Sequence, residues 1–379
     1  MPHRLPTYIL FLAILAGSCG NSAPVQTETP EHYLAYFGTY TRGENAAKGI
    51  YVSRFEVSSG RMSPIRLVLE AEDPSFLAVH PNQRYLYSTN EVAKRIGTIS
   101  AYAIESTTGK LQLLNHVSSQ GKIPCHISLD ASGKMLAVAN YVTGTVASYR
   151  VLGNGQLGDA VSIIQHRGPK KPHPHSANFS PKNRFLIVPD VGTDKIHLYR
   201  ADPTRAVLDP HQPEEISARP GSGPRHLAFH PSGRYCYVIE ETKNAVMAFK
   251  WDEQQGTLKE FERIPVLPDS FSGESYTAEI IAHPSGKFLY VSNRGHDSIS
   301  VLSIDPHSGR LAVVDHTPTQ GNYPRNFNLD PTGKWLIALN RESNTVVIFA
   351  IDPQTGILTP TGQVLDLLNP SCLRWVPLG

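Results

Sequence analysis

Several features are scarce in this chain of 379 residues, and each scarcity excludes something. There is no excess of charge of one sign: 35 Lys and Arg face 33 Asp and Glu, a formal charge of +2. No basic face is therefore available to neutralise the phosphates of a nucleic acid. Cysteine is rare, with only Cys19, Cys125, Cys236 and Cys372 at wide spacings, so neither a disulfide framework nor a zinc pattern is visible. Long apolar runs are missing too. The notable one, Tyr8 to Ala16 (YILFLAILA), is about half of what a membrane-spanning helix needs. No Gly-x-Ser-x-Gly turn is present to carry a serine nucleophile. Gly and Pro, by contrast, are plentiful at 29 and 30, which calls for frequent turns and few long helices.

The short apolar run follows His3 and Arg4 and leads into Ala16-Gly17-Ser18-Cys19. A weakly basic start, a short apolar core and small residues together read as an export signal. The cysteine after the small residues resembles a bacterial lipoprotein signal, with Cys19 as the lipidated residue, although Leu15 lies four rather than three places before it. Residues 1–19 are thus expected to be a signal segment. Residues 20–32 (GNSAPVQTETPEH) are polar and turn-rich, as a tether would be. The expected setting is periplasmic or at the cell surface, with membrane contact only through the N-terminal lipid. Cys236, within Tyr-Cys-Tyr-Val, is expected to be a buried strand residue.

From residue 33 to 379 one phrase recurs: a Pro-led strand, a turn, a second apolar strand and a polar loop. It reads PSFLAVHPNQRYLYSTN from Pro74, PCHISLDASGKMLAVAN from Pro124, PHSANFSPKNRFLIVPD from Pro174 and PRHLAFHPSGRYCYVIE from Pro224, at intervals of 50. Further copies start at Tyr276, Pro324 and, truncated, Pro370. Two more strands follow each phrase, as in NAVMAFKW from Asn244 and the run from Thr257 to Val266. Four short antiparallel strands per repeat of about fifty residues identify a propeller blade. The fold class is therefore all-β, a seven-bladed β-propeller. Its truncated last copy joins the orphan second strand Tyr33–Tyr40 and closes the ring, removing the exposed sheet edges.

In such a meander, the start of strand one and the end of strand two share a side, and the turn between them lies opposite. The turn side is repetitive: His80-Pro81, Ser180-Pro181, His230-Pro231, His283-Pro284 and Asp330-Pro331. Repetition implies a shared structural task, so these histidines are assigned to turns. The other side varies from blade to blade and is chemically rich. Strand-one starts carry His126, His173, His175, Arg225, His226, Glu279 and Arg325. Strand-two ends carry Asn90-Glu91, Asn140-Tyr141, Asp190 with Asp194, Glu240-Glu241, Asn293-Arg294 with His296, and Asn340-Arg341. These should ring one mouth of the channel, where propellers hold ligands. His173 and His175, two apart in an extended segment, face the same way. No third and fourth ligand at familiar spacing accompanies them, so no metal site is assigned.

The segments PHPHSANFSPKNRFLIVPDVGTDKI, GPRHLAFHPSGRYCYVIEE, SYTAEIIAHPSGKFLYVSNRGHDSI and YPRNFNLDPTGKWLIALN resemble the signature stretches of the 6-phosphogluconolactonase-like propeller lactonases. That family also includes the carboxymuconate lactonizing enzymes. The resemblance runs from about Tyr33 to Trp375. It implies a lactone hydrolase without a cofactor, acting on a sugar lactone such as 6-phosphogluconolactone or gluconolactone. Carried over by motif, the catalytic set is His175, Arg225, Glu241 and Arg294, with Glu240-Glu241 standing where relatives show Asn-Glu. His173, Asp190, Asp194, His226, Glu279, Asn293, His296 and Arg325 are the accompanying substrate-binding candidates. In this reading Arg225 and Arg294 hold the oxyanion, Glu241 is the base towards water and His175 protonates the leaving alkoxide. Two alternatives use the same mouth. One is a muconate-type cycloisomerase; the other is a non-catalytic cell-surface binding propeller, which would expose aromatics rather than a knot of Arg, His and Glu.

Overall fold

The computed structural model describes residues 1–3, 30–43 and 46–378. The apolar run Tyr8–Ala16, Cys19 and most of the 20–32 stretch lie outside the described residues. The described residues contain no helix; their strands form seven separate antiparallel sheets. Six blades are simple meanders: 77–118, 124–165, 178–217, 224–265, 276–318 and 324–366. The remaining blade takes its innermost strand, Pro370–Pro377, from the C-terminal end of the chain. Its other strands, starting with His32–Thr39 and Gly49–Glu56, come from the N-terminal end. We call this composite sheet blade 1 and the others blades 2 to 7 in chain order. The innermost strands touch in ring order, blade 7 meeting blade 1, except that Pro224–Phe229 of blade 5 meets the second strand of blade 4, Phe185–Asp190; the circle is closed.

The apolar phrases explain the layering. Second strands such as Met135–Asn140 (MLAVAN) and Phe185–Asp190 (FLIVPD) are buried at every position, because a neighbouring blade covers each face. Outer strands alternate, as in Leu157–Gln165, with one face inward and one towards solvent. The core is accordingly a series of clusters between blades. One joins Ile337, Leu339, Val346 and Ile348 of blade 7 to Tyr33, Ala35, Phe37 and Phe55 of blade 1. Cys236 is fully buried in another, between blades 4 and 5, as its sequence context indicates.

Hydrogen bonds add specific latches across the same interfaces. Tyr36, Tyr87, Tyr237 and Tyr290, all on second strands, donate to the carbonyls of Gly109, Gly155, Gly309 and Gly356 in the next blade, at 2.9–3.0 Å. The repeated turn histidines do the same on the opposite face. His80, His230 and His283 place Nε2 at 3.0, 2.9 and 2.7 Å from the carbonyls of Gly133, Gly286 and Gly333. Each Nδ1 accepts from an amide of its own turn, which leaves Nε2 as the donor. Gly286 is required twice over. Its φ is +72°, and a Cβ there would lie 2.7 Å from the His230 ring. The structural assignment of these histidines thus has a physical basis.

Closure depends on residues 370–377, so removing residues 370–379 should leave His32–Thr39 with an unpaired inner edge and open the cluster shared by blades 1 and 7. Calorimetry should show the unfolding midpoint falling by roughly 10 °C or more, or no cooperative transition at all. A truncated protein melting within about 2 °C of the parent would contradict ring closure.

Candidate active site

A repeated irregularity aims side chains at the axis. In blades 1, 3, 5, 6 and 7 the inner strand slips register against the end of the second strand. In blade 3, Asn140 faces Pro124 while Ala139 faces His126, which leaves Cys125 as an extra residue. Arg325 in blade 7 and Ser371 in blade 1 are extra in the same way. Such bulges bend the strand and re-aim its residues. Applied through the repeat, they produce an upper ring of Ser75, Cys125, His175, Arg225, Ala278, Arg325 and Ser371. The next residue of each blade forms a lower ring containing Phe76, His126, His226, Glu279 and Asn326. The residues at or just past the ends of the second strands, including Tyr40, Glu91, Tyr141, Glu241, Arg294 and Arg341, rim the mouth.

The structure brings His175, Arg225, Glu241 and Arg294 together. Glu241 lies between two guanidinium groups: Arg294 Nη2 donates to Oε1, and Arg225 Nε stands 3.6 Å from Oε2. Burial alone would raise the pKa of this carboxyl, but Arg225 and Arg294 outweigh it and hold the group below its ordinary range. A carboxylate held in this way is a poor general base, so the geometry does not suit the role that the motif gives Glu241. Four of the five Arg294 N–H donors are also committed, to Glu241, the carbonyls of Tyr276 and Thr277, and the Tyr323 hydroxyl, which leaves one on Nη1. Arg225 is 2% exposed and donates Nη1 to the Ala278 carbonyl. Burial, reinforced by Arg294, pushes its pKa down to about 10, so it keeps its charge at neutral pH. Arg325 makes no hydrogen bond among the described residues, and its guanidinium sits 5.3 Å from the centroid of the Tyr40 ring. Its donors remain available at the mouth.

Three imidazoles meet below. The His226 ring lies 5.4 Å from that of His126 and 5.1 Å from that of His175. Burial, joined by neighbouring positive groups, drives His126 and His175 well below 6.5, so both are neutral at pH 7. A neutral His175 is not a ready-made acid; it must first take a proton. Its neighbour Cys125, with Sγ 4.0 Å from His175 Nδ1, is pushed strongly upward by burial and stays a thiol. A cavity of about 300 Å³, lined by Glu91, Cys125, Tyr141, His175, Glu241 and Arg325, opens above this floor.

Of the substrate-binding candidates, the structure brings His226, Glu279 and Arg325 into the cluster. His173 is half-buried at its side, stacked on Tyr141 with centroids 4.4 Å apart. The others are turned to structural bonds. Asn293 is fully buried and donates to Ser298 and Ser300; Asn140 and Asn340 make the matching bonds in their blades. Asp190 accepts from the His173, Gly192 and Thr193 amides and pairs with His166 at 2.7 Å. Asp194 binds Lys170 and the amides of Gly221 and Gly223. His296 bonds Ser298 away from the axis. Asp190 and Asn293 share one cause: a polar side chain at the end of the second strand ties down the loop that follows it. Asp194 and His296 belong to those loops and bond within them or to the next.

Tyr40, Asn326 and Ser75 were missed by the sequence reading, although they occupy the same repeat positions as Glu241, His226 and His175. The described residues also hold one cluster with metal-ligand chemistry, His166, Asp190 and His197. His166 spends both ring nitrogens within the protein, on Asp190 and on Tyr199 at 2.9 Å. It lacks a spare donor atom for an ion.

The family description "Lactonase, 7-bladed beta-propeller" matches residues 34–375. The 6-phosphogluconolactonase of Bacillus subtilis is 36% identical over 305 residues, covering 79% of this chain and 85% of that protein. The 6-phosphogluconolactonase of Formosa agariphila is 35% identical over 314 residues, covering 78% and 86%. Among solved structures, the periplasmic gluconolactonase of Pseudomonas aeruginosa superposes with a TM-score of 0.86 at 33% identity, covering 92% of this chain and all of that one. With its seven closed blades and its Arg, Glu and His floor, this chain belongs to the seven-bladed β-propeller lactonase family.

Proposed function

We propose that this protein is an exported hydrolase of sugar δ-lactones that opens the ring by direct attack of water. The observation that carries the reading is the site floor: two guanidiniums with donors to spare, Arg225 and Arg325, beside neutral imidazoles and under a cavity of about 300 Å³. A lactone carbonyl pointed at Arg225 and Arg325 has its developing oxyanion met by fixed donors in a buried setting. A neutral imidazole accepts a proton from water as the new C–O bond forms. The tetrahedral intermediate then collapses, the bond to the ring oxygen breaks, and the same imidazolium returns its proton to that oxygen. Glu241 holds Arg225 and Arg294 in place. The relatives' names speak for hydrolysis rather than cycloisomerisation.

The substrate is proposed to be unphosphorylated. A phosphate dianion needs several converging cations with free donors. Of the candidates at this mouth, Arg294 has a single N–H left over and Lys170 is paired with Asp194 at 2.8 Å. The export signal composition of residues 1–19 points the same way, since a periplasmic or surface protein meets lactones arriving from outside.

Three measurements follow. Arg325→Ala should lower lactone opening by about 10²-fold or more, the scale of a lost oxyanion donor. His230→Ala, on the far face, should lower the melting temperature while leaving kcat within about twofold; equal losses of activity at both positions would mean the site lies elsewhere. Glucono-δ-lactone should be opened with kcat/KM at least equal to that for its 6-phospho form, and a hundredfold preference for the phosphorylated lactone would refute the substrate reading. Metabolic labelling with a fatty acid should mark the protein through Cys19, whereas unlabelled protein in a soluble periplasmic fraction would remove the lipid anchor and leave export standing.

A further inference from the structure

The lower ring contains a pair that neither the motif nor the oxyanion argument uses. His226 Nδ1 lies 2.8 Å from Glu279 Oε1. An ionised carboxylate can only accept, so Nδ1 carries the proton and Nε2 keeps its lone pair. That Nε2 is buried and has no hydrogen-bond partner among the described residues. Glu279 is itself held: the Ile280 amide donates to Oε1 at 3.0 Å and Asn326 Nδ2 donates to Oε2. The other two imidazoles lack this support. His126 accepts from the Ala177 amide at 3.3 Å, and the nearest side-chain partner of His175 Nδ1 is the thiol of Cys125.

His226 lines a second cavity of about 10 Å³ on the channel axis, together with Tyr40, Ser75, Arg225 and Asn326. That volume suits a single water. This cavity shares Cys125, His175 and Arg325 with the larger one above it, so the two adjoin. Arg325 thus borders both the space for a lactone and the space for a water beside His226.

We propose that His226 is the catalytic base, that Glu279 is its positioning residue, and that the hydrolytic water is bound in the floor cavity. This rests on the hydrolase reading above. His226 Nε2 takes one proton from water as the water oxygen bonds to the carbonyl carbon. It gives that proton to the ring oxygen as the ring C–O bond breaks, and ends neutral, with Glu279 ionised throughout. The groups facing His226 are Glu279, which favours the imidazolium, Arg225 and Arg325, which oppose it, and the neutral imidazoles of His126 and His175, whose own protonation a charged His226 opposes; Arg374 acts on Glu279. Burial, the largest influence, leaves His226 below 6.5 and competent at neutral pH. Activity should accordingly fall only on the acid side.

The test uses purified full-length protein and glucono-δ-lactone, with acid release followed across pH. His226→Gln should lower kcat by about 10²-fold or more with KM within about threefold. Glu279→Gln should lower kcat by roughly tenfold and move the acid limb to lower pH, because the imidazolium loses its counter-charge; a merely structural Glu279 would alter melting and leave the limb in place. In ¹⁵N-histidine spectra of the unmutated protein, His226 should show a protonated Nδ1 and a lone-pair Nε2, a readout independent of variant folding. An active parent with a folded His226→Gln variant of near-parental kcat would overturn the dyad and spare the hydrolase reading. An unmoved acid limb in Glu279→Gln, or the opposite tautomer, would also overturn it. A parent that opens no lactone would remove both proposals.

Discussion

Everything in this molecule depends on the antiparallel pairing of His32–Thr39 with Pro370–Pro377. A single blade has two apolar faces and cannot bury both alone; a row of blades buries all but the outermost two. Only a ring leaves no apolar face uncovered and no inner edge unpaired. The closing strand is fastened on both sides. Trp375 packs on Phe55 at 5.0 Å and donates to the Leu329 carbonyl of blade 7, while Ser371 donates to the Ser75 carbonyl of blade 2. The Tyr–Gly and His–Gly latches at other interfaces repeat the same logic with single hydrogen bonds.

The ring in turn decides where the chemistry can be. Seven inner strands converge on one axis, and in five of them a bulge at the entry turns the extra residue towards it. The outcome is a narrow well in which charged groups are buried and must satisfy one another. Glu241 has its two arginines, Glu279 has His226 and Asn326, and Glu91 accepts from Tyr40 and Ser75. Arginines with donors left over, and imidazoles kept neutral by burial, are what this arrangement leaves free for a ligand. Ester opening needs little more than an oxyanion site and a mobile proton.

Electrostatics also redistributes roles within the motif. Glu241 looks like a base when read as a letter in a sequence, yet two adjacent guanidiniums stabilise its charged form and weaken it as one. Arg294 looks like an oxyanion donor, but all but one of its donors are taken by neighbours fixed by the fold. Arg325, a substrate-binding candidate by motif, keeps its donors because a Tyr40 ring lies beside it.

The sequence alone determined the architecture, because a blade is a local pattern: four short strands with turn chemistry at fixed offsets, copied seven times with one copy divided between the chain ends. It also separated the two faces, since His230 repeats from blade to blade and Arg225 does not. Within the rich face it could not tell Asn293 from Arg294, or Asp190 from His175. Neighbouring residues at a strand end point in different directions, and which one reaches the axis is set by a bulge that exists only when two strands are paired. Tyr40 and Asn326 escaped for the same reason, their positions having meaning only in the assembled ring. Hydrogen-bond partners such as Glu279 for His226 are 53 residues away along the chain and adjacent only because blade 6 packs against blade 5. Spacing in the chain carries local conformation; the state of a donor, a lone pair or a charge belongs to whatever the closed structure places beside it.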